Sequence, residues 1–373
     1  MKIEDIRIDY ERAVSNRGNQ ARLKRVFKRA LAGEKLTIGF LGGSITQGSL
    51  ATAPNLCYAY HVYEWWCRRF PTAQFTYLNA GIGATDSQFG CARADSDLLQ
   101  YRPDFVIIEY SVNDAATAHF QETYEGLVRK ILGSEWKPAV LLVHNVCYDN
   151  GASAQLIHSK VGRYYDLPAV SMQSTIYPEL LAGRLVNRTI TPDDLHPNDL
   201  GHALVASVIT HVLDEILADV NHSETDPELP PVPLTSNGYE HSVRYRNDSC
   251  EPVCNGFEAD LSPQNGITDI FKKGWTAREK GASIRFEITG SSIGVQYRKT
   301  MQLPAPVAQV ILDGDVANPV TLDANFDETW GDKLVLDTIL DHGENRTHTV
   351  EIRLVETHPE DKLPFYLVSV IGS

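Results

Sequence analysis

The chain has 373 residues, 43% hydrophobic and 22% charged, which is long enough for two globular domains. Its net charge of −14 argues against nucleic acid or an anionic membrane as partner and favours a neutral or cationic substrate. Met1 to Arg7 contain no apolar h-region, and no run of about 18 apolar residues occurs, so neither a signal peptide nor a membrane span is expected. Cysteines 57, 67, 91, 147, 250 and 254 are scattered, and in this context they are expected as buried, reduced thiols in a cytoplasmic protein. Cys250 and Cys254 lack the two further ligands a zinc site would need, so no metal is expected.

Helical periodicity runs first over residues 15–33, through Leu23, Val26, Phe27, Ala30 and Leu31. Short apolar runs then lie at 36–42, 75–79, 104–110, 139–146 and 167–171. Helical stretches separate them near 56–70, 87–100, 116–132 and 153–164, and a last one spans 199–218. This alternation predicts βαβ crossovers and an α/β domain, a five-stranded parallel sheet between two helical layers. The unbroken run Phe105-Val106-Ile107-Ile108 suits a strand buried on both faces. Residues 1–220 are therefore read as one domain, and the Pro-rich, acidic stretch 221–237 as a semi-extended linker. From 238 to 373 alternating segments at 283–288, 293–297, 308–312, 333–336, 349–354 and 365–370 predict an antiparallel, jelly-roll-like β-sandwich.

Gly42-Gly43-Ser44-Ile45-Thr46-Gln47-Gly48 follows the first apolar run directly. A serine between glycines at a strand end can present a nucleophile, although such turns also serve as helix N-caps or phosphate loops. No lysine follows as a Walker loop requires. A serine hydroxyl needs a base for its proton and donors for the oxyanion it creates. Asn79-Ala80-Gly81-Ile82-Gly83-Ala84 follows the second strand, and Tyr110-Ser111-Val112-Asn113-Asp114 the third. Asp193-Asp194-Leu195-His196-Pro197 precedes the last helix. Taken singly, these segments also read as a turn, as a turn and cap, and as a surface histidine with a proline opening the helix.

In this order and these positions, the four blocks over residues 36–200 resemble the SGNH (GDSL-like) hydrolase superfamily. The resemblance implies Ser44 as nucleophile, His196 as general base and then acid, and Asp193 as the carboxylate that orients it. Asp194 competes for that role, and the Asp-x-x-His spacing of the family selects Asp193. The backbone N–H groups of Ser44 and of Gly83 or Ala84, with the Asn113 amide, would form the oxyanion hole. Three positions depart from the common pattern: Gly43 stands for aspartate, Ser111 for glycine, and Ala84 for glycine. These variants resemble the bacterial carbohydrate-esterase branches, in which Gly-Gly-Ser-Ile-Thr replaces Gly-Asp-Ser-Leu.

Residues 238–373 lie outside the superfamily resemblance. A β-sandwich attached to such an esterase resembles a carbohydrate-binding module, and the whole chain resembles two-domain acetylesterases of mannan-derived oligosaccharides. The implied activity is removal of O-acetyl groups from plant oligosaccharides, manno-oligosaccharides in particular, without cofactor. A lipid esterase or thioesterase on the same triad, and a non-catalytic sugar-binding protein, are the alternatives. Trp330 and Trp275 sit in polar, turn-like sequence and are candidate sugar contacts, against filling of the sandwich core. Trp65 and Trp66, in a predicted helix, are expected in the core. A cytoplasmic location would make the substrate an imported acetylated oligosaccharide, and an exposed sandwich edge would support a homodimer.

Overall fold

A computed structural model describes residues 3–328 and 330–373, without the side chain of residue 4. The chain divides into two units, Met1–Glu240 and His241–Ser373.

In the first unit the predicted alternation forms a sheet of five parallel strands, with one antiparallel strand at its edge. The strands are β1 (Val14–Asn16), β2 (Lys35–Gly42), β3 (Gln74–Gly81), β4 (Phe105–Glu109), β5 (Ala139–His144) and β6 (Ala169–Ser171). Their order is β1-β6-β5-β4-β2-β3, and only the β1–β6 pair is antiparallel. Every residue of β4 and β5 is buried, as expected of central strands covered by helices on both faces. The chain leaves β2 toward β3 and then returns to the other side of β2 as β4. The carboxyl ends of β2 and β4 therefore flank the point where strand order reverses, the usual place for a ligand in an open α/β sheet.

The connecting helices are α1 (Ala21–Leu31), α2 (Ser44–Gln47), α3 (Tyr58–Arg69), α4 (Ser87–Asp97), α5 (Ala118–Leu132), α6 (Gln155–Tyr164), α7 (Met172–Leu181), α8 (Asn187–Ile190) and α9 (Asp199–Ala218). Leu23, Val26, Phe27 and Ala30 of α1 are buried at helical spacing, while Trp65 and Trp66 of α3 pack in the same core, as expected. By length and composition α9 could cross a membrane, but it is a core helix in which Leu204, Val205, Val208, Ile209, Val212 and Leu213 are buried. Pro197 does not open α9, because Asn198 is the N-cap and accepts the Gly201 N–H at 3.0 Å.

Two sequence-based boundaries move. The helix expected over 15–33 begins only at Ala21, because Val14–Asn16 extend the sheet and Gly18 adopts φ +57° against the Leu167 carbonyl. The stretch 221–237 is not a free linker but part of the first unit. Glu224 pairs with Lys24 at 2.9 Å and with Arg17 at 2.8 Å, and Asp226 with Arg22 at 2.7 Å. The Glu125 carboxylate accepts the N–H groups of Leu234 and Thr235, and Tyr164 donates to the Val232 carbonyl at 2.7 Å. Glu224 and Asp226, in the stretch read as a semi-extended linker, are partners for Lys24, Arg22 and Arg25 of the basic α1.

The second unit is a β-sandwich. One sheet runs β15 (Lys333–Leu340), β12 (Ile293–Lys299), β17 (Phe365–Gly372), β10 (Trp275–Ala277) and β9 (Glu258–Ala259), with β7 (Val243–Tyr245) also on β17. The other runs β14 (Val320–Asp323), β13 (Val307–Leu312), β16 (Arg346–Glu356), β11 (Ser283–Gly290) and β8 (Val253–Asn255). The named strands pair antiparallel, and alternate residues of β11 (Ile284, Phe286 and Ile288) point into the core.

Candidate active site

Gly42 ends β2, and Ser44 begins α2 as a buried residue, 6% exposed. Ser44 is not the N-cap. Gly43 occupies that place, and the serine hydroxyl is left for other work. The aspartate expected at position 43 would not fit without rearrangement. A Cβ there would lie 2.2 Å from Asn113 Oδ1, so this close approach accounts for Gly43.

His196 reaches the same place from the loop between α8 and α9. Its Nε2 lies 2.8 Å from Ser44 Oγ, and its Nδ1 lies 2.7 Å from Asp193 Oδ2. The assignment of Nδ1–H to the carboxylate leaves Nε2 free to accept the serine proton. Asp193 Oδ1 also accepts the backbone N–H groups of His196 at 2.7 Å and Leu195 at 3.1 Å. Partial burial pushes the Asp193 carboxyl upward, but these hydrogen bonds and the imidazole outweigh it and hold it below the ordinary carboxylate value. Asp194 turns the other way, at φ +69°, and binds Arg188 at 2.6 Å and the Asn187 side chain. The structure thus brings Ser44, His196 and Asp193 into one hydrogen-bonded row and leaves Asp194 outside it.

The expected oxyanion donors surround Ser44. Asn113 sits in a turn after β4 in which both its N–H and that of Asp114 bond the Tyr110 carbonyl at 3.0 Å. Among the described residues its buried Oδ1 has no hydrogen-bond partner, and no hydrogen bond from its Nδ2 is seen. Asp114 pins this turn from below, accepting the Ser87 N–H at 2.9 Å and meeting His158 Nε2 at 2.9 Å. Of the two amides considered after β3, that of Gly83 is already engaged, donating to Gln47 Oε1 at 2.6 Å. Ala84 has φ +56°, a conformation costing a non-glycine residue roughly 1–2 kcal/mol, and its N–H bonds no acceptor among the described residues. Its amide is the one left for a substrate oxygen.

Behind the site is a buried polar layer that the sequence did not single out. Glu109 Oε1 accepts the Ser111 N–H at 3.1 Å and the Ser111 hydroxyl at 3.0 Å, while Oε2 makes no well-formed hydrogen bond. Burial pushes Glu109 up to about 7 and, beyond it, His144 and His158 down to about 3. Burial thus favours the neutral form of both imidazoles. It likewise raises the Asp114 carboxyl, which shares a hydrogen bond of 2.9 Å with His158 Nε2, to about 7. The expected turn glycine is Ser111 here, and its hydroxyl lies 3.0 Å from both Glu109 Oε1 and the Asn145 carbonyl, two acceptors for its one proton. Among the described residues no group of three or more His, Cys, Asp or Glu side chains could hold a metal ion.

In the second unit Trp275 is only 2% exposed and packs edge-on against Phe286, with ring centroids 5.2 Å apart. It is a core residue and not a sugar platform, because β10 places Trp275 and Ala277 inward and Thr276 outward. Trp330 is 56% exposed, edge-on to Phe326 at 5.2 Å, and its indole N–H donates to Glu328 at 2.6 Å.

A model of the GDSL-like lipase/acylhydrolase family matches residues 40–204, the span holding all four sequence blocks. A solved structure of a two-domain esterase (CEX) active on acetylated mannans, co-crystallised with mannopentaose, is 65% identical. The match covers 99% of this chain and 98% of that one, with a TM-score of 0.95. The chain belongs to the GDSL-like lipase/acylhydrolase family. Within it, this chain is similar at full length to that two-domain esterase, and a second CEX structure is 64% identical over 98% of this chain and 99% of that one, at a TM-score of 0.97. No curated protein matches the chain.

Proposed function

We propose that the protein is a serine esterase that removes O-acetyl groups from acetylated manno-oligosaccharides through an acetyl-enzyme on Ser44. The reading is carried by the row Ser44 Oγ–His196 Nε2 at 2.8 Å and His196 Nδ1–Asp193 Oδ2 at 2.7 Å. It is supported by full-length likeness to an esterase active on acetylated mannans. Ser44 Oγ attacks the acetyl carbonyl carbon as His196 Nε2 takes its proton. Negative charge collects on the carbonyl oxygen, where the N–H groups of Ser44 and Ala84 and the Asn113 amide can donate to it. His196 then returns the proton to the departing sugar oxygen. In the second half it draws a proton from water, whose oxygen attacks the acetyl carbon, and it returns that proton to Ser44 Oγ as the acyl–serine bond breaks and acetate leaves. Asp193 stabilises the imidazolium in both halves.

The sandwich is read as a carbohydrate-binding module, with Trp330 as the candidate platform, since Phe326 and Glu328 hold an exposed indole in one orientation. Among the described residues the six cysteines form no disulfide, although only Cys57 and Cys91 are buried and Cys254 is exposed, and this supports a reducing, cytoplasmic compartment and hence a short imported substrate. Its exposed edges supply surface for a homodimer, an idea that light scattering showing a monomer would remove. The direct test is acetate release from acetylated manno- and xylo-oligosaccharides, beside 4-nitrophenyl acetate and octanoate. Preference for the manno-oligosaccharides is expected. Cleavage of model esters alone, or of octanoate as fast as acetate, would discard the carbohydrate assignment.

A further inference from the structure

Gln47 lies three residues beyond Ser44, on the same short helix, and its side chain is exposed. Its Oε1 nonetheless has a fixed partner, the Gly83 N–H at 2.6 Å. Gly83 immediately precedes Ala84, whose left-handed backbone aims the free amide of the oxyanion loop. The ends of β2 and β3 hold the start of this loop in other ways. Asn79 Nδ2 donates to the Thr46 carbonyl at 2.8 Å, and Asn79 Oδ1 accepts the Gly81 N–H at 2.9 Å. Ile82 donates to the Gly42 carbonyl at 3.0 Å, and Gly81 packs so closely that a Cβ would lie 2.2 Å from Gln47 N. These contacts stop at Ile82. Past that point, among the described residues, the Gln47 side chain ties the loop to the helix carrying the nucleophile.

We propose that Gln47 is a positioning residue, which clamps the Gly83 N–H, one peptide unit before the Ala84 amide, and so sets the distance between the Ser44 nucleophile and the Ala84 oxyanion donor. The inference rests on the esterase reading of Ser44. The clamp acts through one acceptor oxygen on an exposed side chain, so its loss leaves the core packing intact. It also acts on the amide that meets developing charge, so its effect falls on kcat and not on KM.

The test uses the full chain and 4-nitrophenyl acetate. Gln47→Met keeps the side-chain length without the acceptor, and Gln47→Glu keeps an acceptor oxygen for Gly83. The methionine variant is expected to lose about 10-fold in kcat with KM unchanged within two-fold, below the 10²–10³ of deleting a donor outright. The glutamate variant is expected to stay within about three-fold of the parent, a rescue that a merely structural role would not show. A methionine variant with kcat within two-fold of the parent, a loss expressed in KM, or equal losses in both variants would each overturn the proposal. Gln47→Ser, too short to reach Gly83, takes the place of the methionine variant should that one misfold, with the same expected loss. Ser44→Ala in the same series separates the two claims: if it keeps full activity the esterase reading fails, whereas a dead Ser44→Ala beside an unaffected Gln47→Met overturns only the clamp.

Discussion

The two banks of the active site are built differently. The nucleophile bank grows from the ends of β2, β3 and β4, where Ser44 is buried and its neighbours are locked by the Gly43–Asn113 and Gly81–Gln47 contacts. The acid–base bank is an eight-residue loop between α8 and α9, in which the His196 side chain is 23% and that of Asp193 45% exposed. The strands supply rigidity to one bank, whereas the other is aligned by hydrogen bonds within the loop and by the Tyr148 N–H on the Asp194 carbonyl at 2.7 Å. The chemistry explains the asymmetry. The oxyanion donors gain most from having no reorganisation to pay at the moment of reaction, while the imidazole must serve both the serine and a water.

That contrast is broken or sharpened first by removing each bank's acting group. Ser44→Ala and His196→Ala should each lower kcat for acetyl ester hydrolysis by on the order of 10⁶, and the double variant little further, because the groups act as a unit. Additive losses in steady-state assays would mean that the two banks work separately. Asp193→Asn should cost about 10⁴, through loss of the imidazole orientation and of charge opposite the imidazolium. Asp194→Asn should stay within roughly ten-fold, since its carboxylate faces Arg188 and not the imidazole. The reverse ranking in kcat would reassign the carboxylate.

On the nucleophile bank a single donor is expected to matter less. Asn113→Ala should lower kcat by roughly 10²–10³ at nearly constant KM. A change in KM alone would make Asn113 a binding residue. In the second unit, Trp330→Ala should raise KM for acetylated manno-oligosaccharides about three- to ten-fold and leave 4-nitrophenyl acetate untouched, as expected for an exposed aromatic platform. Equal kinetics on both substrates would remove Trp330 from the substrate path.

Ser44 and Asn113 were legible in the sequence because each follows a strand of a recognisable alternation, and strand ends converge in a parallel sheet. Asp193 and His196, in contrast, lie between two helices and were read from the Asp-x-x-His block of the family resemblance. What supports them was not legible. Gln47 and Gly83 are 36 residues apart and nothing local connects them. Glu109 closes an apolar strand and looks like an ordinary surface carboxylate until β4 proves central and fully buried. Trp275 misled in the opposite sense, since Lys273 and Gly274 suggest a turn while the three-residue β10 turns the indole inward. The stretch 221–237 has linker composition, yet its acidic residues belong to a basic helix some 200 residues earlier. Pairing partners far apart in sequence decided each case.

Glu109 offers the finest test of how rigid the nucleophile bank is, because it titrates beneath it. Burial raises its carboxyl from 4.5 to about 7, against the opposing Ser111 hydrogen bonds. Between these values the folded protein holds a proton that the unfolded chain has lost. Stability from this group is therefore present below about pH 4.5 and falls as pH rises toward 7. His144 and His158, lowered from 6.5 to about 3, act in the opposite direction, because only the unfolded chain binds their protons between those values. Glu109→Gln removes the first contribution and leaves the second. It keeps an acceptor at Oε1 and places its amide nitrogen where Oε2 makes no well-formed hydrogen bond. Relative to the parent, the variant should gain stability as pH rises from 4.5 to 7, by on the order of 1–3 kcal/mol at full effect. Urea unfolding of both proteins across that range measures the difference directly. Parallel stability curves would mean that Glu109 ionises freely in the folded state and that the floor of the nucleophile bank is hydrated, not dry.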